Sequence, residues 1–169
     1  LCMSLRVPVK ASPGDRVAVL SPSFAAPAVA PAVHEQAMLR LKDLTGLIPV
    51  EFPTTRLIDA SPQHRAQDIN SAFADPDIKA VLATIGGTDQ ITVIPHLDAQ
   101  LIHDNPKIFI GYSDNTNLHN WLWQQGITSF YGGSTQVQLG PGPFVDAIHA
   151  DSLRAALITG GELELTNPG

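Results

Sequence analysis

Short apolar runs that suit buried strands alternate with helical patterns along most of this chain. The apolar runs lie at 16–20, 48–52, 78–84, 107–110 and 127–131. Helical spacings occur at 28–45, 61–74, 115–125 and 145–158, with shorter helical segments near 90–95 and 99–103. Strands separated by helices form βαβ units, which assemble into a parallel sheet with helices on both faces. The predicted fold is therefore α/β: a three-layer, flavodoxin-like or Rossmann-like domain with a mostly parallel sheet of about five strands.

Length and composition predict one domain with a sizeable core. The chain has 169 residues, of which 44% are hydrophobic and 15% charged, so we expect a globular protein. We assign 1–10 to an N-terminal extension, in which Leu1 and Cys2 are interpreted as a remnant of cloning. Residues 11–160 form the α/β domain, with a Gly/Pro-rich loop at 132–143, and 162–169 are expected to be a strand or a linker.

Charge and cysteine content exclude several classes of function. The net charge is −6 and no basic patch is visible, so neither nucleic acid nor a membrane is an expected partner. Cys2 is the single cysteine, which rules out a disulfide within the chain and fits a cytoplasmic location. No dinucleotide or P-loop motif and no metal-ligand spacing is present, so we expect no cofactor and no metal.

Four unusual loops follow predicted strands, at 21–23, 86–89, 111–114 and 131–134. Ligands of open parallel sheets bind beyond the carboxyl ends of the strands, so these loops are expected to converge on one site. The third loop, Gly-Tyr-Ser-Asp, resembles a nucleophile elbow, in which a serine on a sharp strand-to-helix turn faces developing negative charge. Gly111 is expected because a side chain there would crowd the turn. The match is partial, since Asn115 replaces the second glycine, and Ser113 or Asp114 could instead cap a helix.

Acyl transfer needs a nucleophile and two N–H donors for the oxyanion. Ser113 would be the nucleophile, the Asp114 N–H one donor, and the Gly86-Gly87 loop the source of the second. Alternatively, that loop is only a tight strand-to-helix turn. The general base is missing from this scheme: His119 lies six residues beyond Ser113, on another face of the same helix. His34 and His64 are predicted to be surface residues, and no other histidine has the spacing of a triad member.

Three segments, at 84–89, 106–116 and 130–133, resemble the LD-carboxypeptidase family of serine peptidases. The early segments at 13–19 and 21–23 fit its N-terminal strand and loop. The resemblance implies that Ser113 is the nucleophile and that Gly87 and Asp114 supply the oxyanion hole. We further expect substrate contacts from the loop residues Ser23, Gly86, Thr88, Asp89 and Gly132.

In this family, a C-terminal domain supplies the glutamate and histidine of a Ser-Glu-His triad. The resemblance therefore implies that this chain is the N-terminal domain, that 161–169 begin the interdomain linker, and that the chain alone is inactive. Its partners would be its own C-terminal domain and, when full-length, a second copy in a homodimer.

The substrate branch is suggested by residues 85–89, which resemble the microcin C self-immunity peptidases more than the murein-trimming members. Thr88 replaces the acidic residue expected there, and Gly133 replaces a common proline. The substrate is thus expected to be a small peptide or an aminoacyl-nucleotide. A non-catalytic, small-ligand-binding flavodoxin-like domain is the alternative, and the downstream reading frame would discriminate between the two.

Overall fold

The computed structural model describes residues 4–166; Leu1 and Cys2, for which we expected an origin in cloning, and positions 167–169 of the expected linker lie outside the described residues. Five strands form one sheet: β1 (Arg16–Leu20), β2 (Ile48–Glu51), β3 (Ile78–Ala83), β4 (Ile108–Gly111) and β5 (Phe130–Tyr131). Their order is β2-β1-β3-β4-β5 and every pairing is parallel. This is the flavodoxin-like strand order, so the predicted α/β fold is confirmed.

In the described part of the chain, six α-helices connect and flank the strands: α1 (Ala26–Val29), α2 (Pro31–Thr45), α3 (Pro62–Ala74), α4 (Ala99–Asp104), α5 (Thr116–Gln124) and α6 (Ala147–Arg154). Short 3-10 turns lie at Gln90–Thr92, Ile94–His96 and Ser113–Asn115. None of the helices within residues 4–166 combines the length and apolar character that crossing a bilayer requires.

Local sequence signals explain where two of these helices begin. The hydroxyl oxygen of Ser61 accepts the His64 N–H at 3.2 Å, and Pro62 is the first residue of α3, as predicted. The helix predicted over 28–45 is divided at Ala30, which has a non-helical φ of −130°. The cause is Pro31, since proline restricts the residue before it to extended conformations.

Two apolar clusters cover the two faces of the sheet. Helices α3 and α5 contribute Phe73 and Leu118 to one cluster, and α2 contributes Leu41 to the other, beside Leu157. Because both faces are covered, the strands are apolar on both sides, and this explains the unbroken apolar runs in the sequence. The result is the predicted three-layer arrangement.

The switch point of the sheet lies between β1 and β3, because the chain leaves β1 for β2 on one side and returns to β3 on the other. The loops after β1 and β3 are therefore neighbours at the carboxyl edge. The Thr84 N–H donates to the Leu20 carbonyl at 2.8 Å, and the hydroxyls of Ser21 and Thr84 are 2.8 Å apart. Ligands of such folds bind at this position.

The fifth strand is shorter than the predicted 127–131, because the N-terminal segment takes part of its pairing. Ile127 forms an isolated parallel bridge with Arg6, whose carbonyl accepts the Thr128 N–H at 3.0 Å. Lys10 donates to the Ala156 carbonyl at 2.6 Å. Arg6 and Lys10, which we assigned to an extension, are thus bonded to the domain.

Two further segments differ from the predictions. The loop expected at 132–143 contains a π-helical turn, Thr135–Leu139, which Arg40 holds against α2 by donating to the Leu139 and Gly140 carbonyls at 2.9 Å. In the last segment, the described residues 162–166 form no strand, so the strand alternative for that segment is wrong.

Candidate active site

Ser113 lies on the turn that connects β4 to α5, and its backbone is strained. Its φ is +61°, and within residues 4–166 it is the one non-glycine residue with a positive φ. This conformation brings Cβ close to the backbone and costs on the order of 1–2 kcal/mol, so the surrounding structure must impose it. A serine held in this way is what a nucleophile elbow requires.

The alternative role of Ser113 or Asp114 as a helix cap finds no support in the hydrogen bonds. Neither the 3-10 turn at Ser113–Asn115 nor α5 has a side-chain cap. The Asp114 carboxylate instead accepts the Gln90 backbone N–H at 2.9 Å and the Asn117 side-chain amide at 3.0 Å. The Asp114 N–H has no acceptor among residues 4–166, which leaves it available to a ligand.

Asn115 explains both the departure from the usual elbow motif and the need for Gly111. A Cβ at Gly111 would lie 3.0 Å from the Asn115 side chain, so even alanine would crowd it, as the sequence predicted. Asn115 is fully buried, donates to the Ile85 carbonyl at 3.2 Å and accepts from the side chain of Gln90 at 2.8 Å. It therefore ties the elbow to the loop after β3.

Gly86 and Gly87 lie between Ser113 on one side and Ser23 on the other. A Cβ at Gly86 would be 3.1 Å from the Ser113 hydroxyl oxygen and 3.3 Å from the Asp114 nitrogen. A Cβ at Gly87 would be 2.9 Å from the Ser23 Cβ. The structure thus brings five of the eight predicted site residues together, namely Ser23, Gly86, Gly87, Ser113 and Asp114. The space between them stays open because positions 86 and 87 carry no side chain.

A cavity of about 330 Å³ opens beside this loop, and Ser23, Arg65 and Asp89 are among its lining residues. The Ser23 hydroxyl is buried and has no hydrogen-bond partner among the described residues. Arg65 is nearly buried, and it donates to the Ser21 carbonyl at 2.8 Å. Thr88 is exposed and does not line this cavity.

The loop after β5 reaches the elbow through Tyr131 rather than through Gly132. Gly132 donates its N–H to the Gly111 carbonyl at 3.0 Å, and a Cβ on it would contact Ile110 at 3.8 Å. The phenolic oxygen of Tyr131 accepts the Ser113 N–H at 3.0 Å. Sequence reasoning missed Tyr131, although its place one residue before Gly132, in the fourth converging loop, was the available signal.

His119 does not contact the Ser113 hydroxyl, in line with its predicted place on another helix face. One ring nitrogen, Nε2, lies 2.8 Å from the Gly111 carbonyl, and Nδ1 lies 2.6 Å from the Ser129 hydroxyl. A carbonyl can only accept, so Nε2 carries the proton. Burial lowers the pKa of His119, which favours the neutral ring.

The prediction that His34 is a surface residue is wrong. It is fully buried on α2, and its Nε2 lies 2.8 Å from the Glu51 carboxylate. His64, His96 and His103 are exposed, and His149 lines a second cavity, next to Gly133. Within residues 4–166, no histidine is hydrogen-bonded to Ser113 and no three metal-ligating side chains cluster.

The fold and the site define a class of protein: a parallel α/β domain that carries an exposed serine on a strained strand-to-helix turn at the carboxyl edge of its sheet. The profile of the LD-carboxypeptidase N-terminal domain matches residues 17–132. The chain therefore belongs to the LD-carboxypeptidase family, as the resemblance indicated.

Curated relatives come from several bacteria. A carboxypeptidase candidate of Vibrio cholerae is 34% identical over 135 residues, which are 77% of this chain and 40% of that protein. The microcin C7 self-immunity protein MccF of Escherichia coli is 39% identical over 82 residues, which are 48% of this chain and 24% of MccF. The murein tetrapeptide carboxypeptidase of Pseudomonas aeruginosa is 31% identical over 69% of this chain and 38% of its own length. The chain thus spans well under half the length of these relatives.

Solved structures of MccF and of an MccF-like protein resemble this chain. An MccF-like protein of Bacillus anthracis superimposes with a TM-score of 0.83 and 32% identity, over 90% of this chain and 47% of that one. MccF in complex with aspartyl sulfamoyl adenosine superimposes with a TM-score of 0.80 and 31% identity, over 89% of this chain and 47% of MccF.

Proposed function

We propose that this chain is the N-terminal, nucleophile-bearing domain of a serine carboxypeptidase or amidase. The observation that carries the proposal is the geometry of Ser113. Its backbone is held at a φ of +61°, and its hydroxyl faces Gly86, beside the unpartnered N–H of Asp114. Membership of the LD-carboxypeptidase family supports the same activity.

The reaction follows from the groups around Ser113. Its hydroxyl oxygen attacks the carbonyl carbon of an amide, and a base takes the hydroxyl proton. The N–H groups of Gly87 and Asp114 stabilise the tetrahedral oxyanion. The C–N bond then breaks, the amine leaves with the proton, and an ester on Ser113 remains. Water attacks this acyl-enzyme, releases the carboxylic acid and restores the hydroxyl.

The base is proposed to be a histidine, oriented by a glutamate, from a C-terminal domain. Two findings support this: no histidine of residues 4–166 is hydrogen-bonded to Ser113, and the chain spans 40% of its Vibrio cholerae relative. The chain alone is accordingly expected to be inactive. Turnover by the purified chain that Ser113→Ala removes would contradict this expectation.

The proposed substrate is an amide in a small peptide or in an aminoacyl-nucleotide. The second class is supported by the likeness to MccF, whose structure was solved with aspartyl sulfamoyl adenosine. The first is supported by the murein tetrapeptide carboxypeptidase among the relatives. Homodimer formation and a cytoplasmic location stay predictions, for light scattering and cell fractionation to test.

The test compares a full-length form, with its C-terminal domain, against Ser113→Ala on a murein tetrapeptide and on an aminoacyl sulfamoyl adenosine. Ser71→Ala is the matched control, because Ser71 lies near the end of α3 that Lys107 contacts, at the opposite edge of the sheet. We expect cleavage of at least one substrate by the parent and by Ser71→Ala, and none by Ser113→Ala. Full activity of Ser113→Ala would refute the proposal.

A further inference from the structure

The Tyr131 side chain reaches the backbone of the proposed nucleophile from the neighbouring strand. Its phenolic oxygen accepts the Ser113 N–H at 3.0 Å, although 65% of the residue is exposed. The two residues are brought together by strand pairing, since Gly111 of β4 pairs with Tyr131 of β5. The contact joins residues 18 positions apart and lies at the entrance to α5.

Packing restricts where the phenol can lie. The Tyr131 ring is 5.6 Å from the His119 ring, which in turn is 4.9 Å from Phe109. His119 is fixed by two hydrogen bonds, to Gly111 and Ser129, at 2.8 and 2.6 Å. The phenol therefore stands against a ring that is itself bonded to the elbow strand.

This hydrogen bond bears on the nucleophile in two ways. The left-handed backbone of Ser113 is strained, so an acceptor for its N–H stabilises a conformation that is otherwise unfavourable. The same bond occupies the Ser113 N–H, which would otherwise be a third donor near the reacting carbonyl. The bond thus leaves the oxyanion to the two proposed donors, the N–H groups of Asp114 and Gly87.

We infer that Tyr131 is a positioning residue for Ser113, which acts by accepting the Ser113 N–H and so holding the strained elbow. This inference rests on the proposed function, because it requires Ser113 to be the nucleophile. Tyr131→Phe removes the acceptor atom and keeps the ring, so the effect is specific to the hydrogen bond.

In the full-length enzyme, Tyr131→Phe is expected to lower kcat by about 3- to 10-fold, because the strained elbow loses one solvent-accessible hydrogen bond. KM should stay within about twofold, because the phenol acts on the serine and not on substrate binding. Trp123→Phe is the control, since Trp123 is an exposed aromatic residue on α5. A parental kcat in Tyr131→Phe would overturn the inference.

A readout without substrate uses the 169-residue chain itself. Amide exchange measured by NMR should be about tenfold or more faster at Ser113 in Tyr131→Phe, with exchange in the sheet unchanged. An unchanged Ser113 exchange rate would overturn the inference, even if kcat fell. Failure of the proposed function and failure of this inference give different results. If Ser113→Ala is active, the proposed function is refuted. If Ser113→Ala is inactive but Tyr131→Phe is fully active, only the role of Tyr131 is refuted.

Discussion

Gly86 lies directly against Ser113, so that a Cβ at Gly86 would come within 3.1 Å of the serine hydroxyl oxygen and 3.3 Å of the Asp114 nitrogen. The space beside Gly86 is where a substrate carbonyl and its oxyanion would lie. The lack of a side chain at position 86 is therefore a condition for substrate binding in the proposed reaction.

Gly86→Ala is expected to reduce kcat/KM of the full-length enzyme by about 100-fold or more, because the methyl group occupies the oxyanion position. Steady-state kinetics on the substrate that the parent cleaves measures this, and thermal unfolding of the variant checks that the fold persists. A kcat/KM within about threefold of the parent would show that the oxyanion does not lie beside Gly86.

Asn115→Ala is expected to lower the free energy of unfolding of the chain by about 2–4 kcal/mol, because it leaves buried partners unpaired. The residue is fully buried and bonds to Ile85, Tyr112 and Gln90. Urea unfolding measures the change. Asn120→Ala, at an exposed position of α5, is the matched control and should stay within about 0.5 kcal/mol of the parent. Equal effects of the two substitutions would contradict the structural role of Asn115.

The burial of the Lys107 ammonium predicts that the stability of the chain depends on pH. The ammonium donates to the Ala72 and Asp75 carbonyls at the end of α3, and burial lowers its pKa from 10.5 to about 8. Between these values the unfolded state binds more protons, so stability rises with pH. Relative to Lys107→Met, the parent should gain up to about 3 kcal/mol from pH 8 to pH 10.5.

Urea unfolding at several pH values tests this prediction. Lys42→Met, at an exposed position of α2, is the control and should run parallel to the parent. A difference between the parent and Lys107→Met that does not change with pH would contradict the prediction.

The lowered pKa of Glu51 predicts a second rise of stability with pH, this one in the acid range. Hydrogen bonds from Arg56, then from His34, lower its pKa from 4.5 to about 2. The stabilisation is present above pH 4.5 and is lost as the pH falls towards 2. Because solvent screens this partly exposed group, we expect Glu51→Gln to cost about 1–2 kcal/mol at pH 7 and about half as much at pH 3, as measured by urea unfolding.

Glu35→Gln is the matched control for Glu51, because the more exposed Glu35 bonds to the same Arg56. It should change the free energy of unfolding by about 0.5 kcal/mol or less. If Glu35→Gln were as costly as Glu51→Gln, the stabilisation would not be specific to Glu51 and its hydrogen bond to the buried His34.

Local pattern predicted much of this fold. Apolar runs located β1 to β4, and Ser61-Pro62 predicted the first residue of α3. The rule that loops converge at the carboxyl edge of a parallel sheet correctly predicted that Ser23, Gly86 and Ser113 lie close together. These features depend on short sequence segments or on topology, both of which are visible in the sequence.

The missed features depend on contacts between distant residues. Gln90 and Asn115 are fully buried polar residues whose side chains bond across 25 positions, and no local pattern indicates such a pair. Arg6 takes up the pairing of Ile127, which shortens β5. His34 did have a local signal, because it precedes Ala37 and Leu41 at helical spacing and so shares their buried face.

The most direct test of the central claim is to detect an acyl group on Ser113. Full-length enzyme is mixed with a cleavable substrate, quenched within milliseconds and digested, and its peptides are analysed by mass spectrometry. The account predicts a transient mass increase equal to the acyl part of the substrate on the peptide that contains Ser113, and its absence in Ser113→Ala. Turnover with no adduct on that peptide, or with the adduct on another residue, would contradict it.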